Sequence, residues 1–253
     1  MPIESGGQAE LSYLDVAFDG RDTETVIAAI AERPADAPFA YVVTPNVDHL
    51  IRLHGDARDE RLAGAYARAA TRLCDSRVLA RLAALQGIRL PVTPGSDLTV
   101  RLLLDVVEPG DRIAIVGGDA ETLALLADRL PGVEIVQHMP PMGMRSNPAA
   151  MAEAAAFVAQ ARGRFAFLAV GSPQQEYLAL AIAERGDATG TALCIGASID
   201  FLTGRARRAP IWMQRAGIEW AHRLGSEPRR LWRRYLVEGP RIFRIAWRAR
   251  HRG

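Results

Sequence analysis

Phe165-Ala-Phe-Leu-Ala-Val170-Gly171-Ser172-Pro173-Gln174-Gln175-Glu176 is the stretch that decides the fold. Its first six residues form an unbroken apolar run of strand length. Gly171-Ser172-Pro173 breaks that run, and Gln174 opens a segment whose apolar residues recur at helical spacing up to Glu184. A strand that is apolar on both faces belongs inside a parallel sheet. Pro173 suits a first helical turn, where a missing N–H costs nothing. Ligands of such sheets sit beyond the carboxyl ends of the strands, where helix N-termini offer free N–H groups. Gln175 and Glu176 stand at that edge, either facing a substrate or forming a loop with a capping Glu.

The same alternation extends in both directions. Buried strands are expected at residues 40–44, 72–75, 111–116, 133–137 and 192–195, with a short one within 11–18. Helices are expected at about 22–32, 47–54, 60–69, 77–86, 96–107, 120–130 and 149–162, with Asp22 or Thr23 capping the first. The Pro-, Met- and Gly-rich loop at 138–148 reads as a mobile cover. Strand and helix in strict alternation give an α/β, Rossmann-like, mostly parallel sheet with helices on both faces. From Ala209 the strand signal stops, and Arg- and Trp-rich helical sequence takes over. The expected division is a catalytic α/β domain, 1–204, and a helical appendage, 205–253.

Charge separates the same two parts. The 253 residues carry a net +2, yet 205–253 holds 14 Arg against 3 acids, while the remainder is at −9. All four tryptophans, Trp212, Trp220, Trp232 and Trp247, lie in the appendage. The chain has no lysine, so part of the bias is a general preference for Arg, but that does not explain its position. Trp interleaved with Arg fits a membrane interface better than a solvated helix. Nucleic acid is the other ligand of basic clusters, and the acidic remainder of the chain argues against it. No apolar run is long enough to span a bilayer, and the first eight residues lack a signal peptide's pattern. Cys74 and Cys194 sit in apolar runs without a CxxC spacing, which points to a reducing cytoplasm and away from a metal site.

Three constellations could carry chemistry. Thr44 and Asn46 follow one strand and Asp75 another, so all three converge on one sheet edge. A carboxylate there can take a proton from an attacking hydroxyl. Equally, Asp75 could cap the helix that begins near Arg77. Gly117-Gly118 ends a strand and could cradle a diphosphate through backbone N–H groups, or be a plain tight turn. No Asp-x-Asp is present to hold a metal on a diphosphate, whereas arginine forks can neutralise one directly. The appendage supplies them, among them Arg205, Arg207, Arg208, Arg215, Arg223, Arg230, Arg233 and Arg234.

Taken in order, these motifs resemble the WecG/TagA/CpsF glycosyltransferases (family 26). The resemblance rests on Val43-Thr-Pro-Asn46, Cys74-Asp-Ser76, Gly95-Ser-Asp-Leu98, Val116-Gly-Gly118 and Gly171-Ser-Pro-Gln-Gln-Glu176. It continues through Gly196-Ala-Ser-Ile-Asp-Phe201, Gly204-Arg-Ala-Arg-Arg-Ala-Pro210, Gly217-Ile-Glu-Trp220 and Glu227-Pro-Arg-Arg230. It implies a metal-independent, cofactor-free, inverting enzyme of the GT-E class, moving a hexose from a nucleotide diphosphate sugar, usually UDP-linked, to a saccharide on a polyprenyl diphosphate. Such enzymes work at the cytoplasmic face of the plasma membrane in surface or exopolysaccharide assembly.

Residue by residue, the resemblance makes Asp75 the catalytic base. It places Thr44, Asn46 and Gln175 around the sugar, with Glu176 beside them. It gives Arg223, Arg230 and Arg233, with Gly117 and Gly118, to the nucleotide diphosphate. Their spacing would put the three arginines on one face of a continuous helix, and Pro228 argues for a break between the first and the other two. Two departures stand out. Ser76 replaces the family's usual Gly, and Pro91-Val-Thr-Pro94 replaces an expected Arg, for which Arg89 is the nearest substitute. The rival class is a nucleotide- or nucleic-acid-binding module built on the same basic tail.

Overall fold

The structure, a computed structural model, describes residues 10–251 apart from 56–58, 197, 203 and 205–208. Arg205, Arg207, Arg208, Ala197 of the Gly196–Phe201 motif, and the first eight residues lie outside the described residues.

Among the described residues eight strands are present: β1 (Glu10–Tyr13), β2 (Val16–Asp19), β3 (Ala40–Val43), β4 (Thr71–Arg72), β5 (Arg112–Gly117), β6 (Glu134–His138), β7 (Phe165–Ala169) and β8 (Thr191–Cys194). Six form one parallel sheet in the order β4-β3-β8-β7-β5-β6. Its inner strands alternate between two apolar faces. Tyr41, Val43, Ala114, Val116, Ala166 and Leu168 face the helices Glu60–Arg68, Pro148–Ala161 and Gln174–Arg185. Val42, Ile113, Ile115, Phe165, Phe167 and Leu193 face Thr23–Ala31, Gly95–Arg101 and Ala120–Arg129. Burial on both sides is why these strands read as continuous apolar runs.

The chain leaves β5 outward to β6 and leaves β7 inward to β8, so connections diverge between β5 and β7. Gly117, at φ 105°, lies there against the Ala169 carbonyl, where a Cβ would stand 2.7 Å from the oxygen. Only glycine permits both the conformation and the approach.

Several boundaries differ from the sequence reading, each for a local reason. Residues 11–18 are not one strand but the hairpin β1–β2, turning through Leu14 and Asp15 at φ 49° and 55°. Asp is a common turn residue but Leu is not, and buried Leu14 is held in an apolar cluster with Val16, Phe18 and Leu50. The helix expected from 96 begins at Gly95 after Pro94, with no side-chain cap, and passes at Leu102–Val106 into a π-helical stretch. Pro173 stands just before the helix Gln174–Arg185 rather than within its first turn.

The appendage folds back onto the α/β unit. It comprises Ile211–Ala216, Glu219–Ser226, Pro228–Trp232, the π-helical Arg233–Glu238, and Arg241–Arg250. The break before Pro228 is where the sequence places it. Ile242 is buried among residues of the hairpin and of the helices Val47–Leu53 and Arg77–Ala84. Arg81 donates to the carbonyls of Ala216 (2.7 Å) and Arg215 (3.3 Å), and Gln86 donates to the carbonyl of Ala246 (3.1 Å).

Candidate active site

The carboxyl ends of β3 and β4 build the floor of a cleft. After β3 the chain turns through Thr44-Pro45-Asn46. Asn46 caps the helix Val47–Leu53, its Oδ1 accepting the N–H of Asp48 at 3.1 Å. In return the Asn46 N–H donates to Nδ1 of His49 at 3.1 Å. That bond makes Nδ1 an acceptor, so the proton of the neutral ring sits on Nε2, 3.9 Å from Oε1 of Glu176. Burial pushes the His49 imidazole below its ordinary value, against the pull of Glu176, and keeps the ring neutral.

Beyond β4 the extended backbone continues in register with β3: Leu73 donates to the Val43 carbonyl (2.9 Å) and Asp75 to the Pro45 carbonyl (3.1 Å). This sets Asp75 beside Asn46. Oδ1 of Asp75 accepts the N–H of Gly95 at 2.9 Å, and Oδ2 lies 3.4 Å from the Asn46 amide nitrogen. The helix at Arg77 is capped instead by Ser76, whose Oγ accepts the Leu79 N–H at 3.2 Å. Of the two roles the sequence left to Asp75, capping is therefore taken by its neighbour, and the carboxylate is left at the cleft. Burial raises its pKa to about 6; the Gly95 N–H, the Asn46 amide and the Arg223 guanidinium pull the other way.

Thr44 stands behind this pair. A Cβ on Gly95 would come 2.7 Å from its Oγ1, so Gly95 is what lets the 92–95 segment approach Asp75. The nature of that segment also bears on the expected arginine: Arg89 is exposed and does not line the cleft.

Gln175 and Glu176 are buried one layer deeper. Gln175 Oε1 accepts the Gly196 N–H at 2.8 Å, tying the β7 and β8 ends together, and its Nε2 donates to Glu176 Oε1 at 3.0 Å. Oε2 of Glu176 has no hydrogen-bond partner among the described residues. Gly117 and Gly118 lie three strand spacings from β3, about 14 Å along the edge, and do not line the same cleft. Gln137 donates to the carbonyls of Gly117 (2.8 Å) and Asp119 (3.2 Å), fixing that turn.

The opposite wall comes from the appendage: Glu219, Trp220, Arg223, Arg234 and Tyr235 line the cleft with Asn46, Asp48 and Asp75. Arg223 pairs with Glu219 at 3.1 Å and lies over the Phe201 ring at 5.4 Å. Arg230 and Arg233 are elsewhere. Their side chains are 70% and 76% exposed, paired with Glu227 (2.6 Å) and Glu238 (3.5 Å), because the break at Pro228 turns that face away. Sequence reading missed Gly95 as a ligand of Asp75 and Arg234 as a cleft residue. The only signal for either was its place within a quoted motif or a list of arginines. Among the described residues no three His, Cys, Asp or Glu side chains gather to hold a metal ion.

A parallel sheet whose carboxyl edge brings a buried carboxylate opposite an arginine is built for group transfer from an anionic substrate. The chain belongs to the WecG/TagA/CpsF family of glycosyl transferases, whose model matches residues 11–253. It is thus a glycosyltransferase of cell-surface polysaccharide biosynthesis, and its family implies a nucleotide-sugar donor and a lipid-linked acceptor. The rival reading of a binding module gives way to an enzyme. No helix among the described residues is long and apolar enough to cross a membrane.

Proposed function

We propose that the chain transfers a hexose, with inversion, from a nucleotide diphosphate sugar, UDP-linked in the simplest case, to a saccharide on polyprenyl diphosphate. The observation that carries this reading is the cleft in which Asp75, freed from capping by Ser76, faces Arg223. The Asp75 carboxylate takes the proton of the acceptor hydroxyl. The acceptor oxygen then bonds to the anomeric carbon as its bond to the diphosphate breaks on the opposite face, through an oxocarbenium-like state. Negative charge grows on the departing diphosphate, and Arg223 stands where it can stabilise that charge without a divalent ion.

Asn46 lines the sugar's side of the floor, with Thr44 behind it. Gln175 and Glu176 act from behind it, through the bond to Gly196. Gly117 and Gly118, farther along the edge, would meet the nucleotide end of the donor. Arg230 and Arg233 keep the diphosphate role that the resemblance gives them only if their segment turns when donor or membrane binds. The exposed Trp212, Trp232, Phe243 and Trp247, set among arginines, suit docking on the anionic inner face of the plasma membrane. A panel of UDP- and GDP-sugars offered with diphosphate-linked lipid acceptors, read by mass spectrometry and anomeric NMR, tests the reading. Transfer with inversion is expected; retention at the anomeric carbon would remove the single-displacement mechanism.

A further inference from the structure

One carboxylate in the cleft is shared by two arginines. Oδ2 of Asp48 lies 2.8 Å from Arg52 and 3.3 Å from Arg234. A single carboxylate neutralises one guanidinium, so one positive charge in this trio is surplus. Arg52, the closer partner, is outside the cleft lining, while Arg234 is part of it. Nε of Arg234 is enclosed and has no acceptor among the described residues. Enclosing a donor without a partner is unfavourable, more so on a charged group, so this position calls for an anion. On the same wall Arg223 is hydrogen-bonded to Glu219 at 3.1 Å, whereas the Arg234–Asp48 contact is an ion pair alone. Each cation thus rests on an internal acid that a phosphate oxygen can displace.

We propose that Arg234 is a second diphosphate-binding residue of this cleft, acting beside Arg223, with Asp48 as the counter-ion it exchanges for the donor. This rests on the glycosyltransferase reading above. The ligand it fits is a nucleoside diphosphate, whose adjacent phosphates present several acceptor oxygens to two guanidinium forks. Arg234, and not Arg233, is the residue on the cleft wall, in the π-helical stretch Arg233–Glu238 that follows the helix Pro228–Trp232.

Calorimetric titration of the full chain with UDP and with GDP tests it. The variants are Arg234→Gln, Arg234→Lys and Asp48→Asn. Arg185→Gln serves as the charge control, since Arg185 pairs with Asp187 at the far end of the helix Gln174–Arg185. Arg234→Gln should weaken the tighter nucleotide at least tenfold, Arg234→Lys should fall between it and wild type, and Arg185→Gln should stay within twofold. Asp48→Asn, which releases the guanidinium, should bind as tightly as wild type or more tightly. A purely structural clamp gives a different pattern, with Asp48→Asn and Arg234→Gln weakening binding together and in step with a lower Tm. That pattern, or Arg234→Gln within twofold of wild type, would overturn the proposal. Should Arg234→Gln fail to fold, weaker binding by Arg234→Lys with no weakening by Asp48→Asn still decides. Wild type that binds neither nucleotide would bring down the donor reading and this proposal with it; loss confined to the Arg234 variants leaves that reading standing.

Discussion

The amide nitrogen of Asn46 lies 3.4 Å from Oδ2 of Asp75, joining the ends of adjacent strands across 29 residues of sequence. The same side chain caps a helix through its other end. Position and protonation of the carboxylate are therefore coupled to one residue.

Asn46→Asp separates the two duties. Asp caps helices about as well as Asn, so the cap is kept, and the stability lost above about pH 7 is that of the new repulsion, about 1.4 kcal/mol per unit of pKa shift. A second carboxylate beside Asp75 disfavours its ionisation. The acidic limb of the pH–rate profile, expected near pH 6 for the wild type from the raised Asp75 pKa, should move up by about one unit. An unmoved limb would mean that Asp75 does not set it.

The raised pKa of Asp75 also makes a stability prediction. The folded state holds the proton more tightly than the unfolded chain, where the value is near 3.8, and releases it at about 6. The stability tied to that proton is complete below about pH 4 and is lost as pH rises through about 6. Asp75→Asn, permanently neutral, should then be the more stable protein at pH 8, by at most about 3 kcal/mol. A donor–donor contact with Asn46 lowers that gain by about 1 kcal/mol. Thermal melts at pH 8 and pH 4 check it, with the gain expected at the first and absent at the second.

Gly95→Ala should destabilise, although Ala favours a helix by about 1 kcal/mol over Gly. The added methyl would meet Thr44 Oγ1 at 2.7 Å, and Gly95 also supplies the N–H that Asp75 accepts. Overpacking of this kind costs about 1–3 kcal/mol. In a Thr44→Ala background most of that cost should vanish, which a double-mutant cycle on Tm measures.

If the exposed aromatic residues dock the appendage, replacing Trp232 and Trp247 together with Ala should cut partitioning onto phosphatidylglycerol vesicles at least tenfold. UDP affinity in solution should remain unchanged. Flotation and calorimetry read the two effects separately, and equal loss in both would place these residues in fold maintenance instead.

Much of this was legible in the sequence because it is local. Apolar runs such as 165–170 and 111–116 gave the strands, and the polar residues just after them gave Thr44, Asn46 and Asp75. What was not legible depends on approach in space. Asp15 is a local turn signal, but Leu14 is not, and only its burial holds it in the turn. Whether Asp75 capped a helix could not be settled until Ser76 was seen to do so. Arg234, which lines the cleft, stood in the sequence only as one of many arginines, and its place there depends on how the chain turns after Pro228.

The central claim is that Asp75 removes the acceptor proton in a cleft that the appendage completes. Its most direct test is the single-turnover rate of transfer by Asp75→Asn to a diphosphate-linked lipid acceptor, with donor binding measured alongside. The account predicts a rate lower by about 100-fold or more, as expected on losing a general base, with donor affinity within a few-fold of wild type. Transfer at the wild-type rate by this variant would contradict it.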